Sequence, residues 1–256
     1  MTTACIVQAR TGSTRLPGKV MLPLGGKPML ARLVERLLRC RRFDKLLIAT
    51  TLHTNDDVIE DLCAELALEC HRGSEHDVLA RYVGAAEACG ATHVVRVTSD
   101  CPLLDPALLD QVVDAYRRDG CDYMGNMQPP TWPHGMAVEV MKAGVLLEAH
   151  REARDPAERE HVTPFLYWRP QRYRLGNLAS SENLSHHRWT VDTPQDYKLV
   201  RRLFEALHPV LPAFTLQDIL ALTRRHPEWS AINQDIRQKV AVSEQEGIND
   251  ARRDPR

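Results

Sequence analysis

No C-x-x-C pair and no H-E-x-x-H motif occurs in this sequence, and no apolar run reaches 18 residues. The first two absences remove the usual zinc and dithiol signatures, and the third removes a membrane-spanning helix. An excess of one charge is lacking too. With 33 basic residues against 34 acidic ones, no long-range field draws the chain to nucleic acid or to an anionic membrane. The seven cysteines (Cys5, Cys40, Cys63, Cys70, Cys89, Cys101 and Cys121) are odd in number and dispersed. With no signal-peptide pattern before the first apolar run, they read as reduced thiols. The expectation is a soluble, cytoplasmic protein without a structural metal. Internal repeats and low-complexity tracts are also missing, and 256 residues suffice for one substantial core.

What is present alternates. Cys5-Ile6-Val7 reads as a buried strand. Residues 28–40 carry Met29, Leu30, Leu33, Val34, Leu37 and Leu38 at helical spacing. A strand is expected over 46–50. Asn55 and Asp56 can cap a helix whose inner face is Val58, Ile59, Leu62, Cys63 and Leu66. A short strand over 68–71 precedes Ser74-Glu75-His76-Asp77, which reads as a capping box opening a helix with Val78, Leu79, Tyr82 and Ala86 inside. Residues 93–98 form the clearest strand, and Asp105-Pro106 starts the next helix. Such repetition predicts an α/β fold: a mostly parallel sheet with helices on both faces, in three layers. Sheets of this kind bind ligands at the carboxyl ends of their strands, so the loop after residue 7 and the turn at Asp100 should face one crevice. The alternation breaks after 122–126. A proline-rich connection over 127–135 follows, then a strand over 137–141 and helices over 143–153 and 157–168. Strands over 172–178 and 188–191 come next, and helices open at Pro194 and Thr215. One domain over 1–240 is expected, with 121–178 on the acceptor side and a frayed tail over 241–256.

Within that frame the stretch Gln8-Ala9-Arg10-Thr11-Gly12-Ser13-Thr14-Arg15-Leu16-Pro17-Gly18-Lys19 stands out. Glycine admits close backbone approach, and free N–H groups in such a loop form an anion site. Arg10, Arg15 and Lys19 add charge suited to a polyphosphate. It is not a P-loop, because five residues separate Gly12 from Gly18 and Val20 follows Lys19. Nor is G-x-G-x-x-G present. Two aspartates complement the loop. Asp105 can cap a helix, whereas Asp100, just past a strand, suits either a magnesium ion shared with phosphates or a local turn. In Val191-Asp192-Thr193-Pro194-Gln195-Asp196, Thr193 and Asp196 can form the capping box, which leaves Asp192 to assist that cap or to point elsewhere.

The stretch from Ala9 to Lys19 resembles the signature loop of the sugar-activating cytidylyltransferases, the group that makes CMP-Kdo and CMP-sialic acid. With Gln8 in front it is closest to the spore-coat polysaccharide (SpsF-type) branch. Ser99-Asp100-Cys101-Pro102-Leu103-Leu104-Asp105-Pro106 resembles the family's metal-aspartate turn, and Val191-Asp192-Thr193-Pro194 its second metal segment. The runs 72–82, 134–139 and 159–164 resemble further SpsF-type stretches, while Cys101 stands where the Kdo enzymes carry glutamate. The resemblance implies a Rossmann-like, GT-A-like sheet of the nucleotide-diphospho-sugar transferases. It implies transfer of CMP from CTP to a small acidic, sugar-acid-like acceptor, with release of pyrophosphate, in surface polysaccharide biosynthesis. Arg15, Lys19, Asp100 and Asp192 would be catalytic, with Mg²⁺ on Asp100 and Asp192. Nucleotide binding would fall to Gln8, Ala9, Arg10, Thr11, Gly12, Ser13, Thr14, Arg15, Lys19, Ser74, Asp77 and Asp100. The acceptor would meet His134, Glu139, Arg159 and His161, and a homodimer could form through 121–178. Two rival readings are a glycosyltransferase of the same architecture and a non-catalytic nucleotide-binding protein. The first usually holds its metal with D-x-D, whereas here Thr98 stands two residues before Asp100.

Overall fold

Alternating aliphatic residues make the first strand two-faced: β1 (Thr3–Gln8) sends Ala4 and Ile6 into one core and Cys5 and Val7 into the other. The computed structural model describes residues 1–237, so the tail expected over 241–256 lies outside the described residues. After the loop that leaves β1 comes a two-stranded ribbon, β2 (Pro23–Leu24) with β3 (Lys27–Pro28), and then α1 (Met29–Leu37). β4 (Lys45–Thr51), α2 (Asp57–Glu65), β5 (Glu69–Gly73), α3 (Val78–Ala88), β6 (His93–Thr98) and α4 (Pro106–Asp119) continue the alternation. Beyond it lie β7 (Tyr123–Gly125), β8 (Glu139–Lys142), α5 (Ala143–Glu152), α6 (Pro156–His161), α7 (Pro164–Tyr167) and β9 (Leu175–Asn177). The described chain closes with α8 (Pro194–Leu207), α9 (Leu216–Arg225) and α10 (Pro227–Ser230).

The seven-stranded sheet runs β5-β4-β1-β6-β8-β7-β9. β5, β4, β1 and β6 are parallel, and β8 enters antiparallel to both β6 and β7. Residues from α1, α2, α4, α8 and α9 fill the core on one face, and residues from α3, α5 and α7 fill the other. Register decides the function. Gln8 pairs with Thr98 on one side and Ala49 on the other, so the exits of β1, β4 and β6 lie along one edge. The loop holding Gly12 and the turn holding Asp100 therefore meet at one mouth, as the alternation predicts.

Several local expectations need correction. No strand forms over 188–191; Arg188 makes only an isolated bridge to His134. The segment is instead held by single backbone bonds, with Trp189 N–H on the His134 carbonyl and Val191 N–H on the Asp100 carbonyl. A helix over 157–168 is broken into α6 and α7, because Val162 adopts φ 74° and Pro164 has no N–H to continue the ladder. Val58 faces solvent. Residues 123–125, where the alternation was expected to end, pair as β7. Helix α3 is capped by Asp77, which accepts from Ala80 N–H, while the Ser74 hydroxyl accepts from Asp77 N–H. Asp105 caps α4 as expected, and Gly120 ends that helix in the left-handed region.

Candidate active site

The loop between β1 and α1 is folded on Thr11, whose carbonyl accepts from Ser13 N–H and Gly18 N–H at 2.8 and 2.9 Å. Gly18 makes the return with φ 67°, a conformation costly for other residues. Among the described residues the Gly12, Thr14 and Arg15 N–H groups have no protein acceptor, which suits an anion-binding turn. Thr11 is anchored from below: its N–H and hydroxyl both donate to Asp56 Oδ1 at 2.7 Å, and Thr51 donates to the other oxygen. Asp56 was read as a helix cap, but its buried carboxylate makes no cap bond and braces this loop instead. Burial alone would raise its pKa, yet the Thr51 and Thr11 donors hold it below the ordinary aspartate value.

Lys19 gathers the centre. Its ammonium lies 3.1 Å from Asp100 Oδ2, 2.9 Å from Asp192 Oδ1 and 2.8 Å from the Val191 carbonyl. Burial works to lower its pKa, but the two carboxylates raise it above the usual lysine value. Asp100 is shifted the opposite way. Burial opposes ionisation, while Lys19 and the Thr98 hydroxyl, 2.5 Å from Oδ1, favour it. Asp192 is brought across 92 positions because Val191 N–H docks on the Asp100 carbonyl at 2.8 Å. Its Oδ2 also takes Arg15 at 3.2 Å and Arg188 at 3.0 Å. Arg188 in turn grips Asp196, which completes the capping box of α8 with Thr193. The charges thus form one row, from Asp196 through Arg188, Asp192 and Lys19 to Asp100.

Beside Asp100 opens a cavity of about 730 Å³ between β6, β8 and the 127–135 connection. His134, Glu139 and His161 line it, as does Trp168. Arg159 does not. It bridges Asp77 at 3.1 Å and His150 at 2.8 Å, tying α6 to α3 and α5. Asp77 is engaged by that bridge and its cap, and Ser74 by its turn; among the described residues neither side chain hydrogen-bonds to the glycine loop. Glu75 does, pairing with Arg10 at 3.4 Å and standing 3.2 Å from where a Gly12 side chain would begin. Gln8 accepts from Arg96 at 3.1 Å. Arg96 and Arg188 were missed as site residues. The signal was a cation inside an apolar strand run, Val94-Val95-Arg96-Val97, and another beside Trp189, each of which demands a buried partner.

A family model described as cytidylyltransferase matches residues 4–253. The chain belongs to the cytidylyltransferase family. This cytidylyltransferase is 35% identical to the spore coat polysaccharide biosynthesis protein SpsF of Bacillus subtilis, over 87% of this chain and 94% of that protein. It is also 35% identical to an uncharacterized protein of Methanocaldococcus jannaschii, over 91% of this chain and 95% of the other. A cytidylyltransferase from Leptospira borgpetersenii superposes with a TM-score of 0.85 at 29% identity, covering 94% of this chain and all of that one. A CMP-2-keto-3-deoxy-manno-octonic acid synthetase solved with CTP shares the fold at a TM-score of 0.62 and 18% identity, over 80% of this chain and 99% of the other. The family and fold implied by the loop are therefore shown, and the chain is a nucleotidyltransferase.

Proposed function

We propose that this cytidylyltransferase moves CMP from CTP to an acceptor hydroxyl, with pyrophosphate leaving, and that Asp100 and Asp192 hold the Mg²⁺ it needs. The observation that carries this reading is the single ammonium, Lys19, lying within 3.1 Å of both carboxylates at the mouth above β1. A cation already fits between these two oxygen ligands, and a hard divalent ion takes one or two carboxylates together with substrate phosphates. When bound, Mg²⁺ supplies charge neutralisation at the α-phosphate and favours the ionised form of the attacking hydroxyl.

The chain's own residues do the rest. The free N–H groups of Gly12, Thr14 and Arg15 receive phosphate oxygens, and Arg15 and Lys19 neutralise charge on the departing pyrophosphate. Asp56 keeps the loop in shape, and Arg188 fixes the rotamer of Asp192. In this reading the acceptor enters the cavity beside Asp100, next to the α-phosphate, and holding both reactants supplies much of the rate. The resemblance implies a sugar acid as that acceptor, in surface polysaccharide biosynthesis. A cytoplasmic location and a homodimer through 121–178 belong to the same proposal. For the location, no helix among the described residues is long and apolar enough to cross a membrane; light scattering tests the dimer. The central test is pyrophosphate release from each of the four nucleoside triphosphates with a panel of acceptors, with and without Mg²⁺. CTP- and Mg²⁺-dependent release, lost in Lys19→Ala, is expected. A Lys19→Ala enzyme that keeps most of its activity would remove that residue from the mechanism.

A further inference from the structure

A polar row crosses the neighbouring strands β1, β6, β8 and β7 on the face covered by α3, α5 and α7. Ala4 and Ile6 point to that face from β1, so Gln8 does too. Gln8 pairs with Thr98 on β6, and Arg96, two residues before Thr98, pairs with Glu139 on β8. Glu139 is held at both oxygens. The Tyr123 and Thr163 hydroxyls donate to Oε1 at 2.6 Å, and Arg96 donates to Oε2. From this anchor the guanidinium, only 12% exposed, reaches across to Gln8 and donates to Oε1 at 3.1 Å. The Tyr82 ring supports it from below, 5.6 Å away at the ring centre. An arginine side chain has donors only, so the atom it meets on Gln8 is the amide oxygen. That decides which way round the amide sits, with its NH2 group facing away from Arg96. Among the described residues this Nε2 has no protein acceptor, and it is not sealed from solvent.

We propose that Arg96, anchored by Glu139, is a positioning residue: it locks the Gln8 amide with its N–H groups outward, as a neutral donor to an anionic substrate oxygen. The place is the junction of crevice and cavity, because the chain passes from Gln8 directly into the glycine loop while Arg96 and Thr98 line the cavity beside Asp100. The proposal rests on reading the mouth above β1 as the transferase site. The oxygen belongs either to the phosphates of the nucleotide or to an acid group of the acceptor, and the same N–H serves both. An unrestrained amide presents its oxygen as readily as its nitrogen. With Arg96 in place the flipped amide sets donor against donor and leaves a half-buried guanidinium nitrogen unpaired, which is disfavoured. Being neutral, the amide also adds no cation that would pair with Asp100 or Asp192 before substrate arrives.

Gln8→Ala and Gln8→Glu separate this role from a structural one. CTP binding is read by titration calorimetry without acceptor, and kcat and KM by pyrophosphate release. Glutamate keeps the bond to Arg96 but turns a charged oxygen toward the substrate. Gln8→Ala should lose about tenfold, and Gln8→Glu about tenfold more. A weaker Kd for CTP assigns the oxygen to the phosphates, and a loss confined to the acceptor KM assigns it to the acceptor. Gln8→Glu performing as well as Gln8→Ala overturns the proposal. So does Gln8→Ala at the wild-type level, since an anion would then reach Arg96 directly or meet neither residue. A double-mutant cycle tests the positioning. Arg96→Met should lose as much as Gln8→Ala, and should cost less than about twofold more when added to it. Arg96→Lys, which still has donors only, should recover part of the loss. Additive losses in the cycle overturn the positioning role, and the Gln8 variants with Arg96→Lys decide the matter should Arg96→Met fail to fold. Weaker CTP binding in Gln8→Glu without turnover on any acceptor removes the transferase reading and leaves the amide donor standing.

Discussion

The crevice above β1 and the cavity beside β8 share Asp100 yet are built on opposite terms. In the crevice, Arg15, Lys19, Arg188, Asp100, Asp192 and Asp196 form one continuous row of alternating sign. In the cavity a single ion pair, Arg96–Glu139, is pinned by hydroxyls and surrounded by rings. The crevice is arranged so that partners can be exchanged, since Lys19 touches two carboxylates that a metal and phosphates could take over. The cavity is arranged so that its charges stay put. In the proposed reading, polyphosphate calls for mobile charge and an acceptor for a fixed wall.

The sharpest way to break this contrast is to remove one group from each side. Asp100→Asn should lower kcat for pyrophosphate release by about a hundredfold or more, on the order of 3 kcal/mol of transition-state stabilisation. Tyr167→Phe, on the cavity wall, should cost less than about tenfold. Equal losses would erase the distinction. Comparable in size, but read as stability, is Arg188→Met, which strands the fully buried Asp196 carboxylate. Breaking such a pair from one side typically costs about 3–5 kcal/mol, readable as a fall in the urea midpoint. Asp56→Asn should cost about 1–3 kcal/mol at neutral pH, because two donors on Thr11 and one on Thr51 lose a charged acceptor. The folded-state pKa of Asp56 lies below its ordinary 3.8. Its contribution is therefore complete above that value, and the gap between wild type and variant should close as pH falls further. Urea midpoints measured at pH 7 and in steps below pH 4 check the sign. Smallest is Arg10→Ala: the Arg10–Glu75 pair is about a third exposed on each side, and its loss should change stability by no more than about 0.5 kcal/mol.

Much of this organisation was legible in the sequence. Strand periodicity placed β1, β4 and β6, and their shared edge followed from the alternation alone. Cap chemistry identified Asp105 and the Thr193–Asp196 box, so Asp100 and Asp192 stood out as carboxylates without an obvious local task. What the sequence hid were partners set by tertiary contact. Asp56 looked like a cap because Asn-Asp before a helical run usually is one, and only the fold brings Thr11 above it. Arg159 near His161 suggested the acceptor, but two positions apart on α6 they take different faces, and Arg159 turns to Asp77 and His150. The segment 188–191 carries a strand pattern, yet buried Arg188 commits it to Asp192 and Asp196 in place of a neighbouring ladder.

Lys19 has a consequence for how the protein comes to exist at all. Two carboxylates forced together would repel each other during folding, but the chain brings its own counter-ion from a turn only a dozen residues past β1. The scaffold can therefore assemble before any divalent ion or nucleotide arrives, and stripping such ions with a chelator should leave the melting temperature where it was. Replacing Lys19 with methionine should reverse that independence, making thermal stability respond to added Mg²⁺.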